Sequence, residues 1–111
     1  MDYPHDIEVK DYFKIHDYYS KKYGINKTIT LIQVGSFHEC YCTDKKGLNL
    51  EMIAQDLDVV CTCKNSKKEI SESNWRMLGF PIHTIDNFVE KLCELNFTVV
   101  IIDQIYIAHL E

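Results

Sequence analysis

The sequence predicts a single small α/β domain, a mixed β-sheet flanked by helices, and three observations carry that expectation. β-Branched apolar runs alternate along the chain with segments whose apolar residues recur at three- and four-residue steps. The 111 residues are 46 % hydrophobic and 26 % charged, far from a disordered composition. A chain of this length can bury roughly two-thirds of its unfolded surface in one core, and no internal repeat or low-complexity tract divides it.

Taken in order, Ile7 to Tyr23 reads as an amphipathic helix, with Val9, Tyr12, Phe13, His16, Tyr19 and Tyr23 on one face. Gly24 is its expected stop, because glycine adopts positive φ cheaply. Thr28 to Val34 is β-branched and apolar, a largely buried strand. Gly35-Ser36 interrupts it, and Phe37 to Cys42 follows as a second extended run. Lys45-Lys46-Gly47 is turn-like, and Leu50, Ile53, Ala54 and Leu57 have helical spacing. Val59 to Cys63 is expected to be a third strand, and Lys64 to Asn74, polar and mixed in charge, an exposed loop. Trp75 to Phe80 is expected to be another strand, closed by Pro81. Thr84 can cap a helix carrying Ile85, Phe88, Val89 and Leu92, and Asn96 tolerates a left-handed stop. Thr98 to Ile102 (TVVII) reads as the most convincing buried strand.

Charge and cysteine usage narrow the function. A net charge of −5 argues against a free-standing, non-specific nucleic-acid binder, which would carry a basic field. No apolar run approaches the ~18 residues that span a membrane. The acidic, polar start MDYPHDIEVKDYF is not a secretory or mitochondrial leader, which points to an intracellular protein. Five cysteines form an odd set that suits free thiols in a reducing compartment. The two Cys-x-Cys pairs, Cys40/Cys42 and Cys61/Cys63, are spaced for one face of a strand rather than for a zinc knuckle, whose cysteines stand two to four residues apart. No Gly-x-x-x-x-Gly-Lys-Ser/Thr phosphate loop occurs, so no nucleotide cofactor is expected of this chain. An enzyme built on His38, Glu39 and Cys40 is disfavoured, because successive strand residues point to opposite faces.

Four local sequences go further. LIQVGSFHECY (31–41) places Gly35-Ser36-Phe37-His38-Glu39 at the end of an apolar strand. Leu57-Asp58-Val59 through Lys64 has the form of a strand ending in a basic residue, and Arg76-Met77-Leu78-Gly79-Phe80-Pro81-Ile82-His83 follows. The closing TVVIIDQI ends a strand in an acidic residue followed by Gln. Together, from Tyr12 to Ile105, these resemble the N-terminal mismatch-recognition domain of MutS-family DNA mismatch repair proteins. The Tyr23-Gly24 ending of the first helix is most similar to the branch found in giant viruses and octocoral mitochondria.

The resemblance implies a partner, double-stranded DNA with mismatches or small loops, and a larger dimeric parent that is a DNA-dependent ATPase using ATP and Mg. It implies no cofactor and no catalysis in this domain. Phe37 would be a ring pushed into the minor groove to stack on the mispaired base, and Glu39, on the same side of an extended segment, would hydrogen-bond that base. Lys64 and the backbone around Met77 and Leu78 would touch the DNA backbone or groove, whereas His83 is expected to serve a turn or packing and Lys67 and Lys68 to be solvated. Ser36 and His38 replace an acidic and an aromatic residue common in the family, and Leu78 replaces a small one. His38 is expected to point away from Phe37 and Glu39. The terminal Leu110-Glu111 resembles a cloning junction, consistent with one domain over 1–111 excised from a longer protein. The alternative reading is a degenerate domain of the same family that serves protein–protein contact.

Overall fold

The computed structural model describes residues 9–103. Helix α1 (Val9–Tyr23) leads into β1 (Thr28–Val34) and β2 (Phe37–Cys42), then α2 (Leu50–Leu57), β3 (Thr62–Cys63), β4 (Arg76–Pro81), a 3-10 turn (Ile82–Thr84), α3 (Ile85–Glu94) and β5 (Thr98–Ile102). The five strands form one mixed sheet in the order β3-β4-β2-β1-β5, antiparallel except for the parallel β1–β5 pair. The expected α/β architecture and the bounds of β1, β2 and β5 therefore stand. The expected start of the first helix at Ile7, the Gln and Ile that close TVVIIDQI, and the Leu110-Glu111 junction lie outside the described residues.

Alternation along the strands sends side chains to two differently covered faces. Helix α1 lies over the face that carries Thr28, Thr30 and Tyr41. The Tyr12 hydroxyl donates to the Thr30 carbonyl at 2.9 Å, and the Tyr12 ring meets Tyr41 edge-on with centroids 5.0 Å apart. His16 Nδ1 is 3.0 Å from Thr30 Oγ1 and its Nε2 is 3.2 Å from Ser20 Oγ, so this buried ring is satisfied at both nitrogens. Burial pulls the His16 pKa below its ordinary 6.5, partly opposed by Asp17. The opposite face buries Ile29, Leu31, Cys40, Leu78 and Phe80 beneath α2 and α3, with the Phe80 and Phe88 rings 4.4 Å apart. Cys40 and Cys42 share this face, as their spacing predicts, and burial pushes both thiols up.

Three expectations need correction. The third strand is only Thr62–Cys63, because the end of α2 consumes the residues before it. Asp58 takes a left-handed conformation (φ 56°), and the Val59 amide returns to the Ala54 carbonyl at 2.9 Å, a helix-ending arrangement that leaves Val60 in solvent. Thr84 does not cap α3. The 3-10 turn runs straight into that helix, and the Thr84 hydroxyl donates instead to the Pro81 carbonyl at 2.8 Å. Among the described residues β5 is a sheet edge bonded only to β1, so its apolar run is half-open rather than buried, with Ile101 39 % exposed. Asn96 is left-handed (φ 70°), as expected.

Candidate nucleic-acid interface

Val34 and Phe37 are directly paired across β1 and β2, so the connection is the two residues Gly35-Ser36. Gly35 has φ +60° and Ser36 does not have positive φ, the pattern of a type II′ turn, which calls for glycine at its first central position. The Ile82 amide donates to the Ser36 carbonyl at 2.9 Å and ties this turn to the end of β4. The tight reversal places Phe37 as the first residue of β2, beside the turn and beyond the cover of α1, where it is 42 % exposed and its neighbour Val34 40 %.

Phe37, Glu39 and Tyr41 alternate onto the same face. Their antiparallel partners on β4 are Pro81, Gly79 and Met77. Gly79 has no positive φ, so its value here is space: a Cβ at that position would lie 3.7 Å from both Phe37 Cδ1 and Glu39 Cγ. The ring and the carboxylate thus lie side by side over bare backbone. Glu39 Oε1 accepts a 2.6 Å hydrogen bond from the Tyr41 hydroxyl. Burial, then the adjoining Glu39, hold the Tyr41 phenol far above its ordinary range, so it remains a neutral donor.

His38 points to the other face, as expected. It is buried, and its Nε2 is 2.7 Å from Asp103 Oδ1, which links the start of β2 to the end of β5. Its Nδ1 is buried without a hydrogen-bond partner among the described residues. His38 and Cys40 share one face and Glu39 occupies the other, so these three do not converge.

The remaining expected contact residues separate. Met77 shares the face of Phe37 and Glu39 and is half-buried. Leu78 puts its side chain on the opposite face, in the core, and only its backbone borders the site. Strand β3 pairs with β4 at Arg76 and Met77 alone, so no described strand covers the outer edge of β4 from Leu78 onward. Lys64 lays its ammonium 4.9 Å from the centroid of Trp75, whose ring stands edge-on to Tyr41 at 6.0 Å. Arg76 is paired at Nη1 with Asp44 (2.6 Å) and at Nε with Glu51 (3.1 Å), so its charge is already matched by two carboxylates. His83 lies exposed in the 3-10 turn, and Lys67 and Lys68 are exposed.

Sequence reasoning missed Tyr41 and Gly79, although the period of two from Phe37 through Glu39 to Tyr41 was visible. It also missed Asn49, whose side chain accepts from the Met52 amide at 3.2 Å and caps α2. Among the described residues, no helix is long and apolar enough to cross a membrane, and no group of three or more His, Cys, Asp or Glu side chains could hold a metal ion.

Residues 11–110 match the family model for MutS domain I. The DNA mismatch repair protein MutS of Trichodesmium erythraeum is 33 % identical over 88 residues, covering 79 % of this chain. That of Thermus thermophilus is 34 % identical over 77 residues, covering 69 %. A MutS homolog of Acanthamoeba polyphaga mimivirus, described as a DNA mismatch repair protein, is 32 % identical over 96 residues, covering 84 %. The bacterial and viral identities are alike, so they single out no branch. The chain spans only 8–9 % of the length of these relatives.

Proposed function

This chain belongs to the MutS domain I family, and from that premise we propose that it senses mispaired or looped bases in double-stranded DNA, as the recognition module of a longer, dimeric mismatch repair protein. In this reading the longer protein supplies ATP hydrolysis with Mg and most phosphate contacts, and this domain supplies no cofactor and no catalytic step. The observation that carries it is Phe37, a large apolar ring left 42 % exposed beside a two-residue turn, with a carboxylate next to it over a glycine. A ring so placed offers an apolar face on which a base can stack.

A mispaired step is poorly stacked and easy to bend, so a protein can find it by testing deformability. Opening a base step costs a few kcal/mol, and stacking a base on an aromatic ring returns roughly 1–3 kcal/mol. The two nearly cancel, so the weakened step is selected. Phe37 is the stacking surface. Glu39 repels phosphates and therefore weakens binding to ordinary duplex, while accepting a hydrogen bond from a base displaced toward it. The net charge of −5 suits a discriminator whose DNA is held by the rest of a larger protein. Backbone along the open edge of β4 at Leu78, the Met77 side chain and Lys64, once lifted from Trp75, border the groove.

The test is a parallel titration of matched and mismatched duplexes with the full-length protein and three variants. Phe37→Ala should lower mismatch affinity towards the matched level, a fall of about tenfold to a hundredfold given the energy of stacking. Glu39→Ala should raise matched-duplex affinity and shrink discrimination, and Glu39→Gln should retain more discrimination than Glu39→Ala. The exposed Val34–Phe37 pair would equally suit a protein partner. If Phe37→Ala separates the two duplexes as well as wild type does, the interaction-domain reading takes the place of the wedge.

A further inference from the structure

A carboxylate at the end of a flexible glutamate side chain has many positions open to it, and a charge that swings into solvent penalises no particular DNA geometry. Here it is fixed. The Tyr41 hydroxyl donates to Glu39 Oε1 at 2.6 Å, from a ring that is itself 6 % exposed. That ring is wedged edge-on between Tyr12, at 5.0 Å and 87°, and Trp75, at 6.0 Å and 80°. The phenol therefore cannot follow the carboxylate, and the carboxylate is drawn to the phenol. Oε2 makes no hydrogen bond among the described residues and lies over Gly79, 3.8 Å from where a Cβ would stand.

We propose that Tyr41 is a positioning residue that divides the Glu39 carboxylate, holding Oε1 against the sheet and presenting Oε2 as the single oxygen offered to a displaced base. This rests on the assignment of Phe37 and Glu39 as the mismatch-reading pair. Its consequence is that discrimination depends on a hydroxyl that is buried and touches no DNA.

The experiment measures the mismatch-to-match affinity ratio of the full-length protein with Tyr41→Phe, Glu39→Ala and the double variant, with Phe37→Ala alongside. Tyr41→Phe keeps the packed ring and removes only the donor. It should cut the ratio about tenfold, the lower end of what loss of one hydrogen bond to a charged group removes, chiefly by raising matched-duplex affinity. In the Glu39→Ala background it should change nothing further. Glu39→Asp, which keeps the charge but draws it back by one methylene, should resemble Tyr41→Phe. A wild-type ratio for Tyr41→Phe, or an equal loss with and without Glu39, overturns the positioning role while leaving the wedge intact if Phe37→Ala still collapses discrimination. Undiminished discrimination in Phe37→Ala removes both.

Discussion

Between β1 and β2 the chain reverses in two residues and leaves Val34 and Phe37 exposed at 40 % and 42 %, whereas between β3 and β4 it passes through a longer polar segment and buries Asn74 to 4 %. The first connection is apolar and open; the second is polar and closed upon itself. Asn74 Nδ2 lies within hydrogen-bond distance of the carbonyls of Asn65 (2.9 Å), Lys68 (3.1 Å) and Glu69 (3.0 Å), and its Oδ1 accepts from the Asn65 amide at 2.7 Å. Its backbone exchanges two further bonds with Ser71, at 3.0 and 3.1 Å. The side chain thus satisfies backbone groups that would otherwise have only water. The contrast teaches that burial of a polar residue needs partners, whereas exposure of an apolar one leaves a surface free to take an occupant. For Asn74 those partners lie within its own loop; for Phe37 the proposed function supplies the occupant, a displaced base.

The largest expected effect that could break this comparison is Asn74→Ala. Loss of a satisfied buried amide, with several carbonyls left without a donor, should destabilise the protein by about 2–4 kcal/mol. Chemical denaturation of the variant measures it, and the folded fraction should discriminate mismatches as before. Phe37→Ala should do the reverse. A half-exposed ring contributes only about 1 kcal/mol to the fold, so its unfolding midpoint should move less than that of Asn74→Ala while discrimination collapses. Should the two variants lose stability and discrimination together, the separation of roles fails.

A smaller effect sharpens the picture through pH. The His16 pKa is lowered in the folded protein, so between that lowered value and 6.5 the unfolded chain binds more protons. The stability associated with neutral His16 is complete above 6.5 and is lost as pH falls from 6.5 through the lowered value. Denaturation curves between neutral and mildly acid pH should show this decline, and His16→Gln should flatten it. Since His16 lies on the buried face of α1 and away from Phe37, discrimination by the folded fraction should be unaffected by that substitution.

The smallest expected change in stability is for Gly79→Ala. A methyl there meets Phe37 and Glu39 at ordinary contact distance, 3.7 Å, and the backbone has no positive φ. Stability should stay within about 0.5 kcal/mol of wild type, the scatter usual for surface changes. The methyl would nonetheless fill the space over the bare backbone between ring and carboxylate, and discrimination should fall severalfold, which the same duplex titrations would register. An unchanged ratio would mean that the space over Gly79 is not used.

Much of this was legible in the residues themselves. Periodicity located β1, β2, α2 and β5, because a period of two or of three to four is a local property that one-sided burial imposes directly on sequence. The spacing of Phe37 and Glu39 put them on one face for the same reason. Sequence could not tell that TVVII forms an edge, since strand order is decided by which segments pair at long range. Nor could it place Asn74, whose partners come from its own loop only once that loop has closed. It could not join Tyr41 to Glu39 through a hydroxyl, or show that Gly79 lies beneath them. Alternation specifies which side a residue faces, but only packing by α1 and register with β4 decide what it meets there. Contacts between residues distant in sequence depend on the relative positions of whole elements, and no local pattern encodes those.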